Sequence, residues 1–240
     1  MAVPLRSPLS GTVPGCVQAW EDAWKSWGRL PWADLLAPAV SLAAEGFPVS
    51  WRMGRVLARY PALLRADPGL RATYLDAEGT RLRAGQTCRP VALGKKLAAL
   101  ARGGARAFYQ GRIADELERG VAAAGGALAA ADLHEHRSVF ADPYALEIEI
   151  ADPTAPTGRN VLRVYEQPLP SQGLLLLVML GLASRGHPDP LRDPFEELHR
   201  QVESKKIAFA MKEAFFTDPD RLPLGERALV EALTNGETMR

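Results

Sequence analysis

The chain is short of several things that would point to simple classes of function. It has only two cysteines, Cys16 and Cys88, neither in a CxxC pair nor in a metal-type cluster, so they read as unpaired small hydrophobes. It has four histidines. His134 and His136 stand two apart, so they would diverge on a helix, and no further ligands accompany them at metal-binding spacing. Charge of one sign is also missing: 29 basic against 28 acidic residues leave a formal +1. No strong field exists to gather nucleic acid or a membrane surface, and pairs such as Lys95-Lys96 and Lys205-Lys206 read as solvated helix faces. No long hydrophobic run is present. The most apolar stretch, Gly173 to Ala183, is roughly half of the ~20 residues a membrane-spanning helix needs and reads as a buried core helix. Met1 to Ser10 has no apolar core of the kind that marks a secretory signal.

What is present is ordinary for a globular protein, with 47% hydrophobic and 24% charged residues. Val17, Trp20, Trp24 and Trp27 recur at helical spacing, which predicts an apolar stripe buried in a core, with Gly28 as the stop. Leu30-Pro31-Trp32 opens a second helix whose inner face is expected to hold Leu35, Leu36, Ala39, Val40, Leu42 and Ala43, and Gly46 ends it. Ser50 is expected to cap a third helix over Trp51 to Tyr60. Residues 61 to 91 read as short apolar pieces and turns, with Tyr74-Leu75 and Arg81-Leu82 pairing across the Glu78-Gly79 turn. Helices follow at Ala92 to Ala101 and Ile113 to Ala124, stopped by Gly125-Gly126. Ala145 to Ile150 and Val161 to Tyr165 read as strands. Leu174 to Ser184 reads as a helix, and Phe195 to Phe216 as a long one capped by Asp193. Asp218-Pro219-Asp220 breaks the long helix, and a last short one is expected from Gly225 to Leu233. Helices, then a strand pair, then helices predict an α/β or α+β chain without internal repeats.

Consecutive blocks then resemble those of one family, the γ-glutamyltranspeptidases. Val13-Pro14-Gly15 leads into Trp20. Trp27-Gly28-Arg29-Leu30-Pro31-Trp32 continues to Pro38-Ala39-Val40. Glu45-Gly46-Phe47-Pro48-Val49 follows, then Phe108-Tyr109-Gln110-Gly111, then Gly125-Gly126 with Asp132-Leu133. Pro168-Leu169-Pro170-Ser171-Gln172-Gly173 resembles the family's proline-serine-glycine block. Glu203 to Ala210 with Lys206, followed by Asp218-Pro219, resembles the last. These blocks occur in the family's order along nearly the whole chain.

The resemblance implies a partial αββα sandwich of the N-terminal nucleophile hydrolases, with residues 1–240 as a single heavy-subunit-like region truncated at both ends relative to the family. It implies γ-glutamyl transfer or hydrolysis on glutathione and related small molecules, without a cofactor or metal. In the family a self-cleaved precursor exposes a Thr whose hydroxyl attacks the γ-glutamyl carbonyl, its own amine serving as base. Glycine N–H groups form the oxyanion hole, and an Arg grips the substrate carboxylate bidentately. That Arg block would precede Val13, and the Thr-Thr-His block would follow Asp218-Pro219. Thr217, Thr234 and Thr238 are not followed by Thr-His, so no catalytic residue is carried across. The implied partner is a light subunit bearing the nucleophile; exported relatives imply a periplasmic or extracellular home by resemblance alone. Two other readings stand beside this one: an acylase of the same class with another substrate, and a non-catalytic remnant or binding protein.

Locally, Ser171 reads as an N-cap of the apolar helix, or as part of a tight turn that lets that helix pack close to the sheet. Gln172 and Leu174 stand where the family has a second Ser and a second Gly, and Met211-Lys212 where it has Asp-Arg. Glu203 and Lys206 are expected to form a local ion pair worth about 0.2–0.5 kcal/mol. A chain of this kind is expected to expose a large apolar face.

Overall fold

Some helices begin where the sequence offers a side-chain cap or a proline that needs no amide partner, and others begin with neither. Eleven can be followed in chain order among the described residues: α1 (Cys16–Trp27), α2 (Trp32–Glu45), α3 (Trp51–Arg59), α4 (Pro61–Ala66), α5 (Pro68–Tyr74), α6 (Val91–Gly103), α7 (Arg106–Tyr109), α8 (Arg112–Ala123), α9 (Ala130–Glu135), α10 (Gly173–Ala183) and α11 (Pro194–Phe215). Four strands accompany them: β1 (Phe47–Pro48), β2 (Thr87–Cys88), β3 (Tyr144–Ala151) and β4 (Arg159–Glu166). The structure is a computed structural model and describes residues 7–184 and 193–217, together with 221, 222, 225, 228, 230 and 231. The break at Asp218-Pro219-Asp220 lies outside them, as does most of the last short helix expected from Gly225. The result is a helix-rich α/β chain that divides into two compact units, Met1–Ser138 and Val139–Arg240.

In the first unit the caps form as their chemistry dictates. The Ser50 hydroxyl accepts from the Met53 N–H at 3.1 Å, and the Asp67 carboxylate from the Leu70 N–H at 2.7 Å. α4 and α5 each start on a proline, where the missing N–H costs nothing. Gly46 ends α2 at φ 95°, in the left-handed region where a side chain is strained. A Cβ there would also stand 2.5 Å from the Thr87 methyl. The chain can therefore turn straight into β1, which pairs antiparallel with β2, Phe47 opposite Cys88. The small hairpin forms as expected: Leu75 bridges Arg81, and the Leu82 N–H donates to Tyr74 O at 2.9 Å.

Two cores fill this unit. Val49, Leu57, Leu64, Leu82 and Cys88 form one. Val17, Leu100, Ala105, Tyr109, Ile113, Ala114 and Leu133 form the other. Burial holds the Cys88 thiol above its ordinary pKa, whereas Cys16 is exposed. In the folded protein Cys16 is expected to react quickly with iodoacetamide and Cys88 only after denaturation; mass spectrometry of the alkylated peptides reads this directly, and equal labelling would contradict the packing.

The tryptophan stripe is not the buried core the helical spacing predicts. Of α1 only Val17 is buried; Trp24 is half-buried, while Trp20 is 48% and Trp27 71% exposed. α2 differs in the same way: Ala43 is buried and Leu36 and Val40 half-buried, but Leu35, Ala39 and Leu42 face outward. Periodicity identifies residues that share a face. It does not say whether this chain covers that face.

In the second unit β3 and β4 form one antiparallel pair, Tyr144 opposite Glu166 through Ala151 opposite Arg159. One face carries Leu146 against Val164 and Ile148 against Leu162. The other carries Glu147 against Arg163, and Glu149 bonds Arg159 at 2.9 Å. α10 is apolar all round and packs on the pair and on α11, whose N-terminus is capped by the Asp193 carboxylate accepting from the Phe195 and Glu196 N–H groups. Leu169, Leu174, Leu175, Val178 and Ala208 make its core. Along α11, Phe195, Leu198, Val202 and Phe209 are exposed on one side of the helix, and Ile207 and Phe215 are exposed elsewhere on it.

Candidate functional site

Two motif blocks that lie far apart in sequence meet in the first unit, together with a histidine just beyond a third. Tyr109, buried at the end of α7, donates its O–H to the Pro14 carbonyl at 2.5 Å and accepts from the Gln18 N–H at 3.3 Å. Its ring stacks on His136 (centroids 5.2 Å apart, 26° between planes) and meets the edge of Phe108 at 4.9 Å. The His136 Nε2 is buried without a hydrogen-bond partner among the described residues. It lies against Gly15, where a Cβ would come within 3.2 Å of it. Burial raises the Tyr109 pKa, opposed by the Gln18 N–H, so the phenol stays a neutral donor. These contacts tie the start of α1 to α7 and to the segment after α9. A shallow cleft of about 290 Å³ opens beside them, lined by Gln18, Lys25, Arg106 and Gln110 among others.

The other motif residues sit at caps, turns and packing contacts. Pro31 precedes the first turn of α2, and Trp32 donates its Nε1–H to Leu100 O at 2.8 Å, fixing α2 on α6. Phe47 and Pro48 are β1 itself. Gly111 is the N-cap of α8, and Gly125-Gly126 ends that helix, the Gly126 N–H donating to Val121 O at 2.8 Å. Asp132 accepts from the Ala129 N–H at 2.9 Å and so caps α9, a helix too short to show a periodic pattern in the sequence. Glu203 and Lys206 form the expected ion pair at 2.8 Å. Asp218 and Pro219 lie outside the described residues.

Ser171 is not the helix cap itself: Gln172 holds that position. The Ser171 hydroxyl donates to Gln167 O at 2.9 Å and accepts from the Gly173 N–H at 3.1 Å. Gly173 lies against the backbone just after β4, where a Cβ would be 2.5 Å from Gln167 O and 2.9 Å from Gln167 N. The turn therefore acts by close approach, with the serine tying it shut.

Among the described residues, Glu116 is the acid whose pKa is lowered furthest. Lys96 and Arg112 both bond it, Arg112 at 2.7 Å, and they lower its pKa from the ordinary 4.5 to about 2. A depressed folded pKa favours the folded state above the unfolded value, and that contribution disappears as pH falls through the folded one. The melting-temperature difference between the wild type and Glu116→Gln should therefore be steady above about pH 5 and shrink towards pH 2. A pH-independent difference would show that the carboxylate's charge contributes nothing. The carboxylate is solvated, so the effect is small.

None of these groups pairs a nucleophile with a base. Thr217 is exposed at the end of α11, and Thr234 and Thr238 lie outside the described residues. The buried Cys88 thiol donates to Thr73 O at 3.7 Å, and its raised pKa disfavours the thiolate. Among the described residues no group of His, Cys, Asp and Glu is arranged to hold a metal ion.

A family model for gamma-glutamyltranspeptidase matches residues 2–239. The chain is 35% identical to glutathione hydrolase proenzyme 2 of Schizosaccharomyces pombe over 96% of its length and 36% of that protein. It is 33% identical to oxamate amidohydrolase proenzyme of Klebsiella pneumoniae over 95% of its length and 42% of that protein. Among solved structures, Helicobacter pylori gamma-glutamyltranspeptidase superposes with a TM-score of 0.84 at 21% identity, covering 98% of this chain and 63% of that one, which shows a common fold. The chain thus spans well under half the length of these two curated relatives, both named as proenzymes. The motif blocks, their structural roles and the match from residue 2 to residue 239 agree: the chain belongs to the γ-glutamyltranspeptidase family.

Proposed function

We propose that this chain serves γ-glutamyl transfer or hydrolysis as the heavy-subunit-like framework of a two-part enzyme, residues 1–240 acting as one region whose nucleophile comes from a light subunit. The observation that carries this reading is the family match over residues 2–239, a stretch that spans 36% and 42% of the two proenzyme relatives. The open apolar surfaces on α1, α2 and α11 support it, because a subunit of this kind needs a partner to cover them. The framework's role is then to hold the partner's threonine and oxyanion donors in place. Such positioning acts on the barrier without chemistry of its own. The reacting compound would be a γ-glutamyl small molecule, in line with the name of the fission-yeast relative.

A second reading has its own support. The Klebsiella relative is named for oxamate, so the shared framework is compatible with a different amide substrate. Co-expression with the nucleophile-bearing segment of a full-length relative separates the possibilities. Release of p-nitroaniline from γ-glutamyl-p-nitroanilide, lost when the partner's threonine is replaced by alanine, is the expected result. Ammonia released from oxamate, with no action on the anilide, would transfer the assignment to the second reading. A stable complex inactive on both would favour a non-catalytic framework protein.

A further inference from the structure

α3 presents a face that its own unit leaves unmatched. Its inner side is fixed: Gly54 and Leu57 are buried, and Met53 packs on the core around Val49 and Cys88. Its outer side aligns Arg52, Arg55 and Arg59 with Trp51 and Val56 around a shallow groove of about 240 Å³. Trp51 is 69% exposed, and the Arg55 guanidinium lies 4.8 Å from its ring centroid. None of the three arginines pairs with a carboxylate among the described residues. The helix has no acidic residue. Between Ser50 and Pro90 the only acids are Asp67, Asp76 and Glu78; the first two are bonded to the Leu70 and Thr80 N–H groups. In a chain of formal charge +1, this is a local cationic surface on a rigid support.

We propose that the outer face of α3 docks an acidic protein segment carrying one apolar anchor. Arginine and tryptophan are the residue types that most often dominate binding at protein interfaces. Guanidinium forks bond carboxylates bidentately, and the exposed ring of Trp51 beside Val56 offers an apolar seat between them. Arg52, Arg55 and Arg59 stand at helical spacing over roughly 10 Å, since each residue advances 1.5 Å. A helical segment with carboxylates at matching intervals meets all three. A membrane surface fits less well, because the apolar side of α3 is already spent on the core and only Trp51 and Val56 remain to enter lipid.

The test is fluorescence anisotropy with the full chain and a fluorescein-labelled helical peptide bearing Glu at i, i+3 and i+7 around a central Leu, compared with its Gln counterpart. The Glu peptide is expected to bind at least ten-fold tighter, and more weakly as salt rises. Arg55→Glu and Trp51→Ala should each weaken it at least ten-fold; both sites are exposed, and unchanged melting curves would confirm intact folding. Arg55→Gln serves as the milder variant. Equal binding of the two peptides, or of wild type and Arg55→Glu, would overturn the proposal. So would preference for labelled single-stranded DNA or phosphatidylserine vesicles that is lost in the same variants.

Discussion

The purified 240-residue chain is expected to release no p-nitroaniline from γ-glutamyl-p-nitroanilide above the uncatalysed rate. The chemistry needs a nucleophile activated by a neighbouring base, and loss of such a group alone costs on the order of 10⁶ in turnover in a well-studied hydrolase. Here the hydroxyls and thiols near the motif residues have other tasks. Tyr109 is locked to Pro14 and Gln18, Ser171 closes a turn between Gln167 and Gly173, and Cys88 is buried with a raised pKa. What remains is positioning, which lowers no barrier without a reacting group to position. Mass spectrometry adds a second readout. Incubation with the anilide should leave no γ-glutamyl adduct on any side chain. Turnover, or a stable acyl adduct, would sink this account whichever residue carried it.

Leu174→Ala is expected to destabilise the second unit by about 2–5 kcal/mol, the usual cost of emptying a leucine's volume in a core. Leu174 is fully buried in the cluster of Leu169, Leu175, Val178 and Ala208 and cannot be replaced by a neighbour without moving α10. Its neighbour Gly173 is expected to resist change for the opposite reason. Gly173→Ala adds a single methyl group where the backbone of Gln167 already stands 2.5 Å away, a clash that costs about 1–3 kcal/mol. The five tryptophans all precede residue 52 and report on the first unit, so hydrogen exchange at the α10 amides is the proper measurement. Faster exchange there in both variants is the expected outcome; native-like protection in Leu174→Ala would show that the core of this unit lies elsewhere.

Elements with local signals were legible in the sequence. Ser50 and Asp193 cap where their side chains reach free amides, Gly46 ends α2, and the β3–β4 pair follows its alternation. The short α4, α5 and α7 were not legible. Six, seven and four residues are too few for a periodic pattern, and α4 and α5 begin on prolines that also read as turn signals. The pairing of Phe47 with Cys88 joins residues with no local sign of each other, and the meeting of Pro14, Tyr109 and His136 is equally a product of tertiary structure. The exposed Trp20 and Trp27 mark a different limit. Periodicity put them on one stripe with Val17, and only the packing reveals that this chain leaves that end of the stripe uncovered.

Each strand of the β3–β4 ribbon has only one hydrogen-bonded neighbour among the described residues, so its outer row of backbone amides and carbonyls faces no ladder. Such rims invite any extended polypeptide to add itself, productively or as the seed of an aggregate. Glu147 and Glu149 on β3 and Arg159 and Arg163 on β4 act as selective gatekeepers here: besides cross-linking the ribbon, they place like charges opposite one another whenever β3 meets a second β3 or β4 a second β4, so only an incoming strand of the complementary charge is favoured.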